Sequence, residues 1–436
     1  MRPFFSRFAH CTRGGDVMTQ SHMVNAAYGA LCERVNLFGS RRKTRILLHT
    51  NIRRALHLPP HAMRFMTTGN QAIRLGPAFA IYALSKAKGR PFGQQQKLFQ
   101  DVSRLGARLG MDIFVITPGA VRAGVHVVSG YRFREGVWRE ETCPYPDIVW
   151  RRLTSRPRAL QAKLIEDETV FSEMPQITLP RSMSEKGVMH QRVLTRAPFS
   201  SHVPQTKIAH NEETLIACVD AFDDCYVKPA RGTQGIGIAR LRRTRGGHEF
   251  LRDGAPASKI SLPELALWYA SFFRVGERVI VQETIPLLHT MDKRPLDFRC
   301  LVQAVNGRPV ATALIARVGS PQSITTNLHT GGEAVSAQDL LPRLTASQAS
   351  AMPAEFRRAE SLACDLFEML QRQHGELGEV GIDFAFDQNL RIYILEINPC
   401  PGRRMLRNVD PRLRMHSITR ILEHALCITG YETIKS

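Results

Sequence analysis

A chain of 436 residues is too long for one compact core of ordinary size, so two or three domains are expected. Hydrophobic residues make up 43% of it, a globular proportion, and no apolar run approaches the ~18–20 residues that cross a bilayer. A formal charge of +20 draws anions of every kind, from nucleotides to acidic peptides, and by itself selects none.

Nothing apolar follows Met1–Arg7 to make a signal peptide. The nine cysteines are scattered without a C-x-x-C pair, which fits reduced thiols in a cytoplasmic protein better than a disulfide framework or a zinc site. Residues 1–72 are rich in arginine, hold Pro59-Pro60 and show little periodicity, so they read as a basic, partly ordered extension. Arg41-Arg42-Lys43 is a candidate nucleic-acid patch, set aside because no aromatics are interleaved for base stacking. Whether Met1 or Met23 is the start is open.

From residue 73 the pattern becomes α/β. Ala78–Leu84 and Asp112–Thr117 read as strands, joined by an amphipathic helix over Phe92–Leu109 with Leu98, Val102, Leu105 and Leu109 on one face. Strand, helix, strand implies a parallel crossover. Val125–Phe133 and Val137–Arg139 flank Glu135-Gly136 as a hairpin, and Asp147–Trp150 is a further short strand. These elements make a first domain, 73–181.

A second unit begins near Ser182. Cys225–Lys228 and Ile236–Leu241 flank the loop Arg231-Gly232-Thr233-Gln234-Gly235-Ile236-Gly237, whose glycines let backbone N–H groups close on an anion. No G-K-[ST] and no following helix occur, so this is neither a Walker A loop nor a dinucleotide fingerprint. It reads as a glycine-rich flap over phosphates, with Lys228 reaching them from the strand that leads in. Leu262–Phe273 is helical and Arg278–Glu283 is a strand.

In the third unit Asp297–Gln303 and Val310–Val318 pair around Asn306-Gly307, a strong hairpin signal. Arg299 and Arg317 lie on these strands as candidate clamps for phosphate or a substrate carboxylate, or as partners of Asp297 or Asp383 in structural ion pairs. Thr325–Gly332 is a polar loop suited to cover a site, and His329 within it reads as a solvated histidine rather than a general base. Phe356–Leu370 is a helix. Then Val380, Ile382, Phe384 and Phe386 alternate with Gly381, Asp383 and Ala385 on one strand, and Glu396 and Asn398 share a face of the next. Asp387-Gln388-Asn389 connects the two. Pairing would set Asp383 against Glu396, and two bare carboxylates there would repel. A hard divalent cation removes that penalty, so Asp383, Glu396 and Asn398 are read as Mg2+ ligands.

These segments together resemble the ATP-grasp superfamily. The resemblance rests on Lys228-Pro229 before the glycine flap, Val281-Gln282-Glu283, Asp297-Phe298-Arg299, and Asp383 with Glu396-Ile397-Asn398-Pro399. Leu75-Gly76-Pro77, Pro91-Phe92-Gly93, Pro146-Asp147 before Arg151-Arg152, and Ile324–Asn327 before Gly331-Gly332 resemble the YheC/YheD-type, endospore-coat-associated ATP-grasp proteins. The stretch 297–332, with Asn327-Leu328-His329, also looks like ribosomal-protein glutamate ligases. The likeness covers about 73–430 and leaves out the first 70 residues.

The resemblance implies an ATP-grasp fold, two α+β subdomains gripping ATP, within 182–430. The lid would span about 222–285 and the metal-binding subdomain about 286–430, behind a Rossmann-like pre-ATP-grasp domain. It implies Lys186 as a first ATP-contacting lysine and Lys228 as the second. Gln282, Glu283 and Ile285 would line the adenine pocket, Asp383, Glu396 and Asn398 would hold Mg2+, and Arg299, Arg317 and Asn327 would serve catalysis. One departure stands out: the D-alanine ligase branch has an arginine two residues before the metal aspartate, where this chain has Gly381.

The expected activity is an ATP- and Mg2+-dependent carboxylate–amine ligase working through an acylphosphate, its acid partner an acidic peptide suited to the basic surface. The rivals are a nucleotide-binding coat protein with little turnover and a binder of nucleic acid. The expected location is cytoplasmic, with spore association implied by the family.

Overall fold

The computed structural model describes residues 7–431 apart from 10–20, 29–30, 41–42, 45–49, 62, 69–71, 86–90, 123, 154–156, 181–197, 231–236, 274–277, 322 and 327–330. Its strands fall into four sheets that follow one another along the chain. The first holds β1 (Arg7–Ala9), β2 (Ser21–Tyr28), β3 (Leu31–Ser40), β4 (Lys43–Thr44), β5 (Met63–Thr68) and β6 (Ala72–Gly76), in the order β1-β5-β6-β2-β3-β4. A short helix, α1 (Thr50–Ala55), precedes β5. The segment read as an extension up to residue 72 thus contributes most of a sheet, with Leu56, Met63 and Phe65 buried in a core shared with Ala80, Tyr82 and Phe114.

The second sheet holds β7 (Ala78–Tyr82), β8 (Asp112–Ile116), β9 (Val127–Arg134), β10 (Val137–Pro144) and β11 (Ile148–Arg151), in the order β10-β9-β8-β7-β11. Strands β8, β7 and β11 are parallel, and every residue in them is buried. Near-continuous apolar runs are what a parallel sheet covered on both faces demands. The crossover from β7 to β8 is α2 (Gln96–Arg108), which buries Leu98, Phe99 and Val102. The expected hairpin turns at Glu135 and Gly136, both at positive φ, and pairs Arg134 with Val137. Helix α3 (Gln161–Phe171) follows β11.

The third sheet holds β12 (Thr206–Ala209), β13 (Asp224–Pro229), β14 (Ala239–Thr244), β15 (Gly247–Leu251), β16 (Ser258–Ile260) and β17 (Val279–Glu283), in the order β12-β17-β13-β14-β15-β16, antiparallel throughout. Two helices cover one face: α4 (Glu212–Asp220), opened by an Asn211 capping box, and α5 (Leu262–Phe272), opened by a Ser261 capping box. Leu215, Val219 and Leu265 from the helices meet Val227, Leu241 and Val281 from the sheet.

The fourth sheet holds β18 (Leu296–Val305), β19 (Arg308–Val318), β20 (Glu333–Ser336), β21 (Glu379–Phe386) and β22 (Ile392–Asn398), in the order β20-β19-β18-β21-β22. The Asn306-Gly307 turn joins β18 to β19 as expected, with both residues at positive φ. The single turn α6 (Ala337–Leu340) leads to the long α7 (Ala346–His374), which buries Phe356, Ala359, Ala363, Leu366 and Leu370 against Phe298, Val302, Phe384 and Ile394. This packing claims one face of the sheet and leaves the other for chemistry. Helix α8 (Arg404–Val409) covers part of that second face by placing Leu406 on Leu301 and Ile315.

The last helix, α9 (Pro411–Ile428), sends Ile418, Ile421, Leu422 and Leu426 back into the core of the second sheet, beside Phe79, Ile81 and Trp150. Arg414 on α9 pairs with Asp101 on α2, and Gln303 Nε2 of β18 donates to Ser417 O at 2.8 Å. One helix therefore fastens the fourth sheet to the second.

Candidate active site

The register of β21 and β22 sets Asp383 directly opposite Glu396, and Gly381 opposite Asn398. Perfect alternation along β22 would not do this while also burying its isoleucines. Ile392, Ile394 and Ile397 all enter the core, yet 394 and 397 differ in parity. A bulge resolves the conflict: the register shifts between Asp383 and Phe384, so Phe384 meets Ile394 and the next pair is Asp383 with Glu396. The inserted residue re-aims Glu396 and Asn398 onto the face opposite the isoleucines.

On the other side of β21, Arg299 of β18 stands opposite Asp383, and Asp297 pairs with Arg317 of β19. The side chains join into an alternating chain. Arg299 grips both oxygens of Asp383 through Nε and Nη2, the latter at 2.7 Å. Arg317 Nη2 donates to the same carboxylate at 2.9 Å, and its Nε and Nη2 both reach Asp297 at 2.5 Å. Thr326 lies beside Asp297 and favours its charged form. Burial pushes the Asp383 carboxyl up, but the Arg299 and Arg317 guanidiniums outweigh it and hold it well below the ordinary carboxylate range. For Asp297 burial wins and the carboxyl is raised, Arg317 notwithstanding, with the like charge of Asp383 adding to the effect.

Where the D-alanine ligase pattern would place an arginine, at 381, the stem of Arg299 from β18 packs over the glycine. A Cβ on Gly381 would lie 3.2 Å from Arg299 Cδ, 3.1 Å from Pro401 Cβ and 3.5 Å from Asn398 Cβ. The aliphatic stem of Arg299 occupies the space above 381, so a glycine is needed there and the guanidinium arrives from β18.

The donor set fits a magnesium ion. By register two carboxylates and an amide share the face; both Asp383 oxygens already accept from arginine, so a cation would use their remaining lone pairs, and the Asn398 side-chain oxygen, which accepts from Cys400 N at 3.0 Å, keeps one as well. Among the described residues no three His, Cys, Asp or Glu side chains are placed together to hold a metal ion. A cation here would complete its shell with waters and ligand oxygens, which is how Mg2+ is commonly held.

The residues expected to meet the nucleotide form a separate group on the third sheet. Lys228 Nζ donates to Gln282 Oε1 at 2.6 Å, and Gln282 Nε2 donates to Thr206 Oγ1 at 2.9 Å, so β13, β17 and β12 are tied together. Glu283 exchanges two bonds with Gln205: its N–H donates at 2.9 Å and its carboxylate accepts at 2.7 Å. Ile285 is buried just past the strand end. Gly237 has φ +79°, and a Cβ on it would sit 2.5 Å from the Phe272 ring. Lys186, Gly232, Thr233, Gln234, Gly235 and Asn327 lie outside the described residues, as does His329.

The structure also brings in residues that motif reading passed over. Glu379, on the same strand face as Gly381 and Asp383, is fully buried between Arg152 from the end of β11 and Arg403. Both guanidiniums also donate to Pro401 O, at 3.1 and 3.0 Å, directly behind Asn398. Both lie over the Trp150 ring, 4.9 and 5.7 Å from its centroid. From the third sheet, Asp253, between β15 and β16, accepts hydrogen bonds from Ser323, Ile324 and Thr325 of the β19–β20 connection. The two strand-alternation steps from Asp383 to Glu379 were a usable signal for the former. Arg252-Asp253-Gly254 looks like any polar turn.

Comparison with known proteins agrees with this architecture. The model of the family described as YheC/D like ATP-grasp matches residues 177–428. The chain belongs to that family, and its fold is the ATP-grasp fold. The endospore coat-associated protein YheD of Bacillus subtilis (strain 168) is 24% identical over 418 residues, covering 92% of this chain and 90% of YheD. That span takes in part of the first 70 residues, which the motif resemblance had left out. The endospore coat-associated protein YheC of the same organism is 21% identical over 304 residues, covering 68% of this chain and 81% of YheC. Among solved structures, the VanG D-Ala:D-Ser ligase from Enterococcus faecalis is 14% identical with a TM-score of 0.48, covering 81% of this chain and 99% of that one.

Proposed function

We propose that the protein is an ATP- and Mg2+-dependent ligase that joins a carboxylate to an amine and releases ADP and phosphate. The observation that carries this reading is the buried alternation of Asp297, Arg317, Asp383 and Arg299, set opposite Glu396. Such a cluster offers carboxylates for a hard cation and guanidiniums for phosphate oxygens on one rigid face.

In this reading the third sheet is the lid, about 222–285, and the fourth sheet carries the metal-binding subdomain, about 286–430, behind the domain 73–181. Asp383, Glu396 and Asn398 hold Mg2+, which when bound neutralises charge on the triphosphate. Lys186 and Lys228 meet phosphate oxygens, the loop with Gly232, Thr233, Gln234, Gly235 and Gly237 folds over them, and Gln282, Glu283 and Ile285 border the adenine. The substrate carboxylate attacks the γ-phosphorus, the β–γ bridging bond breaks, and ADP leaves an acylphosphate behind. The amine then attacks the acyl carbon, phosphate departs, and the amine proton passes to solvent. Arg299 and Arg317 steady the phosphoryl oxygens, with Asn327 beside the substrates. No protein nucleophile takes part, and the acceleration comes from positioning and charge neutralisation.

The charge of +20 favours an acidic peptide as the acid partner. The names of YheC and YheD support association with the endospore coat. Among the described residues no helix is long and apolar enough to cross a membrane. Those names mention no reaction, which keeps a second reading in play: a nucleotide-binding coat protein with little turnover.

Incubation with Mg-ATP, mixed amino acids and acidic peptides separates the two. Release of ADP that depends on an added acid and amine, and that Glu396→Gln abolishes with the fold intact, supports the ligase. Nucleotide binding without ADP release under any of these mixtures supports the coat protein.

A further inference from the structure

The lid and the fourth sheet meet at a second place besides the nucleotide cleft. Segment 323–326 lies in the connection between β19 and β20. Its first three residues are held by the lid. Asp253 Oδ1 accepts from Ser323 Oγ at 2.8 Å and from Ile324 N at 2.8 Å, and Asp253 Oδ2 accepts from Thr325 Oγ1. Tyr226 of β13, half-buried under the same segment, donates its hydroxyl to Ile324 O at 2.9 Å. One lid residue supplies the acceptor and another the donor, so both polarities of the segment are satisfied from across the cleft. Among the described residues, the Asp253 carboxylate accepts from nothing else, and it adds no bond within its own sheet. A carboxylate spent wholly on another subdomain has no role in holding its own loop.

The next residue faces the other way. Thr326 is buried beside Asp297 and helps to hold down its carboxyl; Asp297 is held by Arg317, which also holds Asp383. The segment therefore runs without a break from the lid's hydrogen bonds to the side of the ion cluster that holds the acid opposite Glu396. Four consecutive residues are fixed at one end by the lid and at the other by the ion cluster.

We infer that Asp253 is a positioning residue: by capping 323–325 it latches the lid over the cleft and sets Thr326 against the Asp297–Arg317–Asp383 chain. This rests on the nucleotide cleft proposed above, because a latch between these two sheets closes over whatever lies between them. The contact is made by hydrogen bonds without an ion pair, so it can open and re-form as ligands pass. Its physical content is a bistable contact whose two arrangements bias the cleft.

The test uses the full chain and three variants, with two readouts. Asp253→Ala removes every acceptor. Asp253→Asn keeps Oδ1 for Ile324 N and Ser323 Oγ, and Thr325 can rotate its hydroxyl to accept from the new amide. Tyr226→Phe removes one donor. The first readout is amide hydrogen exchange at Ile324 without ligand. The second is the dissociation rate of a fluorescent ATP analogue with Mg2+. Loss of hydrogen bonds to a carboxylate predicts that Asp253→Ala speeds both by about tenfold or more with little change in melting temperature. Asp253→Asn should stay within about threefold of the parent and Tyr226→Phe fall between them. A merely structural loop contact would lower the melting temperature and leave the dissociation rate alone. Parent-like exchange and dissociation in Asp253→Ala overturn the latch while leaving the cleft standing. A parent chain that fails to bind the Mg2+ analogue overturns the cleft, and the latch with it.

Discussion

Arg299 and Asp383 are cross-strand partners, and the guanidinium of one occupies both oxygens of the other. Arg317 holds Asp383 by one bond and Asp297 by two, so the two arginines are not equivalent. All four side chains are largely buried. Arg299→Ala leaves Asp383 one cationic partner and should lower unfolding free energy by about 2 kcal/mol. Arg317→Ala strips Asp297 of the one guanidinium bonded to it among the described residues and weakens Asp383 as well, for about 3–5 kcal/mol. Urea unfolding of the two variants checks the order, and a larger loss for Arg299→Ala contradicts it.

Gly381 is the next test of the same geometry. Its Cβ position lies 3.1 Å from Pro401 Cβ and 3.2 Å from Arg299 Cδ, tight on both sides. Gly381→Ala should cost about 1–3 kcal/mol as overpacking, and should displace either the arginine stem or the loop behind Asn398. Weaker Mg-ATP binding at unchanged expression is the expected accompaniment, measured calorimetrically beside the thermal melt.

The Arg152–Glu379–Arg403 group has two guanidiniums and one carboxylate, all buried. Glu379→Ala leaves two buried cations unpaired and should cost about 3–5 kcal/mol. Arg152→Met leaves a neutral Arg403–Glu379 pair and should cost less, about 1 kcal/mol. Thermal unfolding of both variants decides it, and equal losses would show that charge balance is not what the group supplies.

Acidification should act on the C-terminal helix. Burial holds the His424 imidazole below its ordinary value, only partly offset by Glu376, and among the described residues neither ring nitrogen has a hydrogen-bond partner. The folded chain then binds this proton more weakly than the unfolded chain. The associated stability is complete above the unfolded value of about 6.5 and is lost as pH falls from there through the lower folded value. Asp383, also held below its ordinary value, follows the same sign at lower pH: its contribution is present above about 3.9 and lost as pH falls further. Melting curves between neutral and mildly acidic pH should decline, and His424→Leu should flatten that decline while leaving the more acidic limb in place.

Much of the site was legible because it is local in sequence. The turns at Glu135-Gly136 and Asn306-Gly307 announce their own hairpins, and the facing of Asp383 and Glu396 follows from one short connection. The bulge that makes that facing compatible with burial of Ile394 and Ile397 was not legible, since alternation counts residues and a bulge breaks the count. Helix α7 begins ten residues before Phe356 and contains Pro353, a residue that usually marks a helix start or a kink. The strands of 7–76 pair over long separations, β1 with β5 and β2 with β6, and carry no continuous apolar run to reveal them. Arg152 with Glu379 and Asp253 with Ser323 are distant in sequence and belong to different sheets, so only the folded chain brings them together.

The central claim is that the face bearing Asp383, Glu396 and Asn398 holds magnesium under a nucleotide. Calorimetric titration with ATP, with and without Mg2+, of the parent chain and of Glu396→Gln tests it most directly. The account predicts binding by the parent that requires Mg2+ and weakens by about tenfold or more in Glu396→Gln with the fold retained. Mg-ATP binding of equal strength in the two proteins, or none by the folded parent, would contradict it.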